Sequence, residues 1–205
     1  MASDKSQHFV ARCILKPFSL DGKGQAINAY NIDRLSGIQN APLKNQCSGN
    51  YFYGRDAKLE ALLQRMESAY GGALSIVRSK NYQLTEKDRV ILRLFAYLQY
   101  LRTEAASKRA VEMMSLMGGA AFGVQAPIEW RAEMRDAVKI AMLSFSDTMN
   151  ILDDLKVCLV RNKTKRAFVT SDDPVVSTNR WYQQNHLARG QSGGIASAGV
   201  LFFCQ

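Results

Sequence analysis

The run from residue 85 to about residue 109 constrains this chain most. Val90, Ile91, Leu94, Phe95, Tyr97, Leu98 and Leu101 recur at helical spacing and cover more than half of the helical wheel. Such a helix has little surface left to turn toward water, so it belongs at the centre of a fold. It opens at Thr85-Glu86-Lys87-Asp88, which reads as a capping box with Asp in place of the usual Glu. The same helix carries Gln99 and Arg102, three residues apart and therefore on one face, among Phe95, Leu98 and Leu101. A guanidinium is tolerated inside an apolar face only when a carboxylate or an anionic ligand neutralises it. Arg102 therefore implies a partner, either a structural acid or a bound anion.

Around this helix the remaining chain reads as α+β. Residues 8–15 hold one or two helical turns that Pro17 stops, with His8 and Arg12 on one face. Residues 25–32 alternate Ala26, Asn28, Tyr30 and Ile32 against the rest and read as a strand, whereas residues 33–50 lack any period and read as a long loop. Residues 56–79 form a helix capped by Asp56, with Leu59, Leu62, Leu63, Met66, Tyr70, Ala73, Ile76 and Val77 on its apolar face; Gly71-Gly72 marks a weak point where it would kink. The Gly- and Ala-rich residues 117–123 separate the central helix from another that starts at Pro127, a favourable first-turn residue, and runs to about Phe145. Residues 157–160 and 167–170 are β-type runs joined by a basic turn and read as an antiparallel hairpin; residues 199–204 read as a last strand. The architecture expected is a central helical bundle with a small antiparallel or mixed sheet formed by the N-terminal strand and the C-terminal hairpin, in one domain over residues 1–205. A terminal apolar strand such as Phe202-Phe203-Cys204 needs a neighbour: the interior of the sheet, a partner chain, or sequence continuing past Gln205.

Composition narrows the function classes. Lys plus Arg outnumber Asp plus Glu 27 to 18, a formal charge of +9, whose field attracts phosphate-bearing polymers and makes a nucleic acid the partner to weigh. No apolar run approaches the roughly 20 residues of a bilayer span, and the polar start lacks the apolar core of a secretory signal, so a cytoplasmic chain is expected. Cys13, Cys47, Cys158 and Cys204 are scattered without metal-ligand spacing and read as free thiols in a reducing compartment.

Few residues offer chemistry. Of the two histidines, His8 is a better acid–base candidate than His186 because it shares a face with Arg12. The stretch Phe168-Val169-Thr170-Ser171-Asp172-Asp173-Pro174 places carboxylates at the end of a strand, where sites assemble, although turn chemistry alone favours the same residues. Asp147, Asp153 and Asp154 lack the oxygen-rich loop of a calcium site and read as a solvated face, so no metal is assigned and the cofactor is unknown. The basic residues Lys156, Arg161, Lys163, Lys165 and Arg166 flank the hairpin turn and suit either phosphate contact or a solubilising edge. No phosphate-cradling loop is present, since Gly118-Gly119 leads into Ala120-Ala121 without a following Lys.

Three of these pieces together resemble the mostly bacterial family known as domain of unknown function 4238. They are His8-Phe9-Val10 with Arg12, Leu15 and Phe18; Gln99-x-x-Arg102-Thr103; and Phe168-Val169-Thr170-Ser171-Asp172-Asp173-Pro174-Val175. The chain departs from the family pattern at Ala11, where Pro is usual, at Asp173, where Asn is usual, and after Cys204, where a proline-rich segment is absent. The resemblance implies a shared cluster of His8, Arg12, Gln99, Arg102, Ser171 and Asp172, not a known reaction. Two readings follow. In the first the chain is a phosphodiester-directed hydrolase, a nuclease of toxin or defence type: Arg12 and Arg102 hold phosphate oxygens, Gln99 and Ser171 assist binding, His8 acts as acid or base, and Asp172 orients it or binds a metal. In the second it is a non-catalytic nucleic-acid or protein binding module, with Arg102 and Asp172 as a structural ion pair.

Overall fold

The computed structural model describes residues 5–122, 134–178 and 198–201. It is an α+β chain in which helices dominate and strands occur as three separate antiparallel pairs. The opening segment forms β1 (Ser6–His8), then the short helix α1 (Arg12–Leu15) and a 3-10 turn (Lys16–Phe18) that holds Pro17. Next come β2 (Ala26–Asn31), β3 (Ser36–Pro42) and β4 (Ser48–Asn50). Four helices follow: α2 (Ala57–Val77), α3 (Glu86–Arg102), α4 (Glu104–Phe122) and α5 (Met134–Thr148). The described chain closes with β5 (Val175–Thr178) and β6 (Ala198–Leu201).

The helix signals translate into structure locally. Asp56 caps α2 by accepting from the amides of Lys58 at 2.8 Å and Leu59 at 3.3 Å. Thr85 and Asp88 form the reciprocal capping box of α3, the Asp88 amide donating to Thr85 Oγ1 at 3.2 Å and the Thr85 amide to Asp88 Oδ2 at 2.9 Å. α2 passes through Gly71-Gly72 as one continuous helix. α3 is central: it contacts α2, α4, α5, β5 and β6. Its Phe95 stacks on Tyr70 of α2 with centroids 3.8 Å apart and planes 13° apart, and both rings are fully buried. Val10, Leu15, Leu43, Leu74, Leu98 and Val138 complete a core that the opening segment, α2, α3 and α5 share.

Where the central helix stops differs from the sequence expectation. It breaks at Thr103, which adopts an extended backbone (φ −76°, ψ 160°), and Thr103 Oγ1 accepts from the Ala106 amide at 3.0 Å. A Thr followed by an acidic residue is an N-cap, so the chain restarts as α4 there. The Gly- and Ala-rich residues 117–122 are the end of α4 rather than a separator. The expected helix start at Pro127 lies outside the described residues, as does His186.

The sheet expectation needs a larger correction. The expected N-terminal strand, β2, does not join the C-terminal strands, and β1, which ends at His8 where helical turns were expected to begin, pairs with β4 (Gln7 opposite Gly49); among the described residues no sheet joins the two ends of the chain. β2 does form where alternation predicts it, but its partner is β3, from the stretch expected to be loop. Residues 157–160 and 167–170 are not strands. This segment is instead tied to α3 by Arg93, whose Nη1 donates to the carbonyl of Leu155 at 2.7 Å, and by burial of Val157 and Leu159 against the core. The C-terminal pair is β5 with β6, Val176 opposite Val200, so the last-strand expectation holds for residues 199–201 and residues 202–204 lie outside the described chain.

If the Tyr70–Phe95 stack joins α2 to α3 as packed, Phe95→Ala lowers unfolding free energy by about 3–5 kcal/mol. Thr85→Ala, which removes a surface cap, costs only about 1 kcal/mol. Urea denaturation of both variants checks the ranking.

Candidate functional site: the clamp around Arg102

The opening segment leaves its ladder after His8 and turns into the core, where Phe9, Val10 and Ala11 are buried. Buried backbone groups need partners, and here side chains supply them. Gln99 donates from Nε2 to the Phe9 carbonyl at 2.8 Å and accepts from the Ala11 amide at 3.4 Å. One turn on, Arg102 donates from Nη2 to the His8 carbonyl at 2.7 Å and to Glu67 Oε1 at 2.7 Å, and from Nε to the Tyr53 hydroxyl oxygen at 2.9 Å. The Tyr53 hydroxyl donates to the same His8 carbonyl at 3.1 Å. From the other side, the Cys47 carbonyl accepts from the amides of Phe9 (2.9 Å) and Val10 (3.4 Å), a direction set by the left-handed backbone of Cys47 (φ 51°). Gln7 extends the pattern by accepting from the Tyr53 amide at 2.7 Å and donating to the Gly54 carbonyl at 3.0 Å. Gln99 and Arg102, on one face of α3, thus meet the consecutive carbonyls of Phe9 and His8, which the bend after β1 turns toward the same helix.

Arg102 is 1% exposed and Gln99 0%. Burial pushes the Arg102 pKa down, but the Tyr53 oxygen and the Glu67 carboxylate oppose it and prevail, so the pKa is raised and the guanidinium stays charged. Burial likewise raises the Tyr53 hydroxyl, which remains a neutral donor. Burial, followed by the nearby Arg12 charge, lowers the His8 pKa below its ordinary 6.5, against the pull of Glu67 and of the Lys44 and Leu43 backbone. His8 is therefore neutral at pH 7. Two polar atoms here, His8 Nε2 and Arg102 Nη1, are buried with no hydrogen-bond partner among the described residues. Cys13 and Cys47 flank the clamp, but burial pushes both thiols up to about 12, which removes them as nucleophiles at neutral pH.

The late turn reaches the same helix through a different residue. Asp173 accepts from Thr103 Oγ1 at 2.8 Å and from Arg109 Nη1 at 2.6 Å, docking the turn onto the junction of α3 and α4. Ser171 folds the turn by accepting from the Asp173 amide at 3.2 Å. Ser171 and Asp172 are exposed. Asp172 lies close enough to Cys47 and Lys108 to raise both pKa values, secondary in each case to burial of the thiol and to Glu104 beside the lysine. The structure thus brings together the backbone at His8, Gln99 and Arg102 in a dry contact. Arg12 is exposed at its edge, and no hydrogen bond joins His8 to Asp172. The acid that neutralises Arg102 is Glu67, not Asp172. Among the described residues no three metal-ligating side chains converge, and Asp147, Asp153 and Asp154 are exposed.

The sequence reading missed Glu67, Tyr53, Arg109 and the role of Asp173. Glu67 had a signal: it lies four residues after Leu63 and three before Tyr70, both buried on the core face of α2. A carboxylate in that stripe calls for a cation, and Arg102 on the facing helix supplies it. Tyr53, in an aperiodic stretch, carried no such mark.

Residues 6–203 match the family described as "Protein of unknown function (DUF4238)", and the chain belongs to it. No curated protein and no solved structure matches it. No helix among the described residues is long and apolar enough to cross a membrane.

Two outcomes follow from the clamp. Arg102→Ala strands Glu67 and the His8 carbonyl and lowers stability by about 3–5 kcal/mol; Gln99→Ala, which leaves the Phe9 carbonyl without its donor, costs about 1–3 kcal/mol. Because the folded state lowers the His8 pKa, the unfolded state binds more protons, and the associated stability is present above about pH 6.5 and lost as pH falls through the lowered folded value. Urea midpoints measured across that window fall more steeply for the wild type than for His8→Gln.

Proposed function

We propose that this chain is a non-catalytic nucleic-acid-binding module whose family signature holds the fold together. The carrying observation is that Arg102 is 1% exposed, with its guanidinium engaged by Glu67, Tyr53 and the His8 carbonyl. A cation so placed and so neutralised is unsuited to gripping a phosphate from solution. The charges able to meet a partner are those on the surface, and the chain has a formal excess of +9, which supports an anionic polymer as that partner. Fluorescence anisotropy with labelled RNA and DNA tests this: binding should weaken steeply with added salt, and neither nucleic acid should be shortened during incubation. Absence of binding at low salt would remove the reading.

One observation favours the hydrolytic alternative, namely that His8 Nε2 and Arg102 Nη1 are buried with no hydrogen-bond partner among the described residues. There His8 would move the proton, Arg12 and Arg102 would hold phosphate oxygens with Gln99 and Ser171 in support, and Asp172 would orient His8 or bind a metal. That alternative requires cleavage of RNA or DNA by the wild type and a loss of about 100-fold or more in His8→Ala and Asp172→Ala.

A further inference from the structure

Away from the clamp, the C-terminal end of α2 and the segment after α5 enclose a shallow groove of about 40 Å³, lined by Val77, Arg78, Tyr82, Leu159, Val160 and Arg161, with Asn162 at one end. That volume is close to the share of one water molecule in the liquid and far below the several hundred Å³ of a small-molecule pocket. A ligand must therefore lie across the groove.

Its surface combines two chemistries. Tyr82 is 38% exposed and Val160 68% exposed, so an aromatic ring and an aliphatic side chain face solvent together. Arg78 and Arg161 line the same groove, and Lys80, Lys156, Lys163, Lys165 and Arg166 belong to the two segments that form it, all exposed. Neither residues 77–83 nor residues 156–166 contain an acid. The basic loop is also shaped. Asn162 Oδ1 accepts from the Thr164 amide at 2.9 Å and its Nδ2 donates to the Arg166 carbonyl at 2.6 Å, closing a compact turn that presents Lys163, Lys165 and Arg166. Arg93 holds the start of the segment on α3 through the Leu155 carbonyl. A row of cations on a braced turn next to an open aromatic ring has the attributes of a single-strand platform: backbone phosphates track the charges while a base stacks on the ring.

We infer that this groove docks single-stranded nucleic acid, a base lying over Tyr82 and Val160 and phosphates meeting Arg78, Arg161, Lys163 and Arg166. This rests on the nucleic-acid reading above and names its surface. The groove suits a splayed single strand better than a duplex, whose bases are stacked away from any protein ring.

The test uses the full chain and labelled oligouridylate and oligothymidylate of about 10 nucleotides, a duplex of matched charge, and vesicles of phosphatidylserine with phosphatidylcholine. Tyr82→Ala should weaken single-strand binding about 10-fold, with Tyr82→Phe restoring it to within about twofold. Lys163→Ala/Arg166→Ala should reduce the slope of log affinity against log salt by roughly 1.4, as expected for two lost phosphate contacts on a single strand, while Lys23→Ala/Lys58→Ala leaves it unchanged. Circular dichroism melts confirm that the variants fold. Wild-type binding that none of the groove variants alters overturns the groove and leaves the nucleic-acid reading standing. A wild type that binds no nucleic acid at low salt overturns both. Tighter binding to the duplex, or binding to the vesicles alone, overturns the single strand as occupant.

Discussion

A positive charge that cannot leave the interior organises this protein. Arg102 sits on the central helix α3 and is itself 1% exposed, and removing a guanidinium from water is costly enough that everything near it must compensate. Glu67 brings the countercharge from α2, Tyr53 brings a hydroxyl oxygen from the stretch between β4 and α2, and the His8 carbonyl closes the set from the chain start. Three segments distant in sequence are thereby fixed to one side chain. Displacing any of them exposes an unpaired charge or a bare carbonyl to a dry interior.

The same logic gives the family signature a physical meaning. Gln99 and Arg102 provide from a helix the donors that the carbonyls of Phe9 and His8 need where the chain bends into the core. This allows the opening segment to run through the core after its own ladder ends. Asp173 performs a comparable task for the late turn by bonding Thr103 and Arg109 at the helix break. Signature residues from three parts of the chain therefore meet on α3, but they meet largely as structural ties. Away from these ties, Tyr82 and the start of the basic turn at Arg161 and Asn162 line one shallow groove.

The strand errors share a cause. β3 is exposed along almost its whole length, Ala41 being its only buried residue, so it has no apolar alternation; a hairpin turn and the backbone ladder to β2 hold it. Residues 157–160 have the composition of a strand, yet Val157 and Leu159 pack against the core and Leu159 and Val160 lie against Val77, Arg78 and Tyr82, with no strand beside them among the described residues. In both places the presence or absence of a pairing partner, not the residue pattern, decides the conformation.

What the sequence determined by itself is local or periodic: the caps at Asp56 and Thr85, the amphipathic α2, the central position of α3, and the demand of Arg102 for a partner. Those follow from interactions within one turn or from the match between a residue period and a helix, and both are written along the chain. Tertiary structure alone decided which acid answers Arg102, that β2 joins β3 instead of the C-terminal strands, and that Asp172 faces solvent while Asp173 docks. Each of these is a choice among chemically equivalent partners, and only the assembled packing brings one of them within bonding distance.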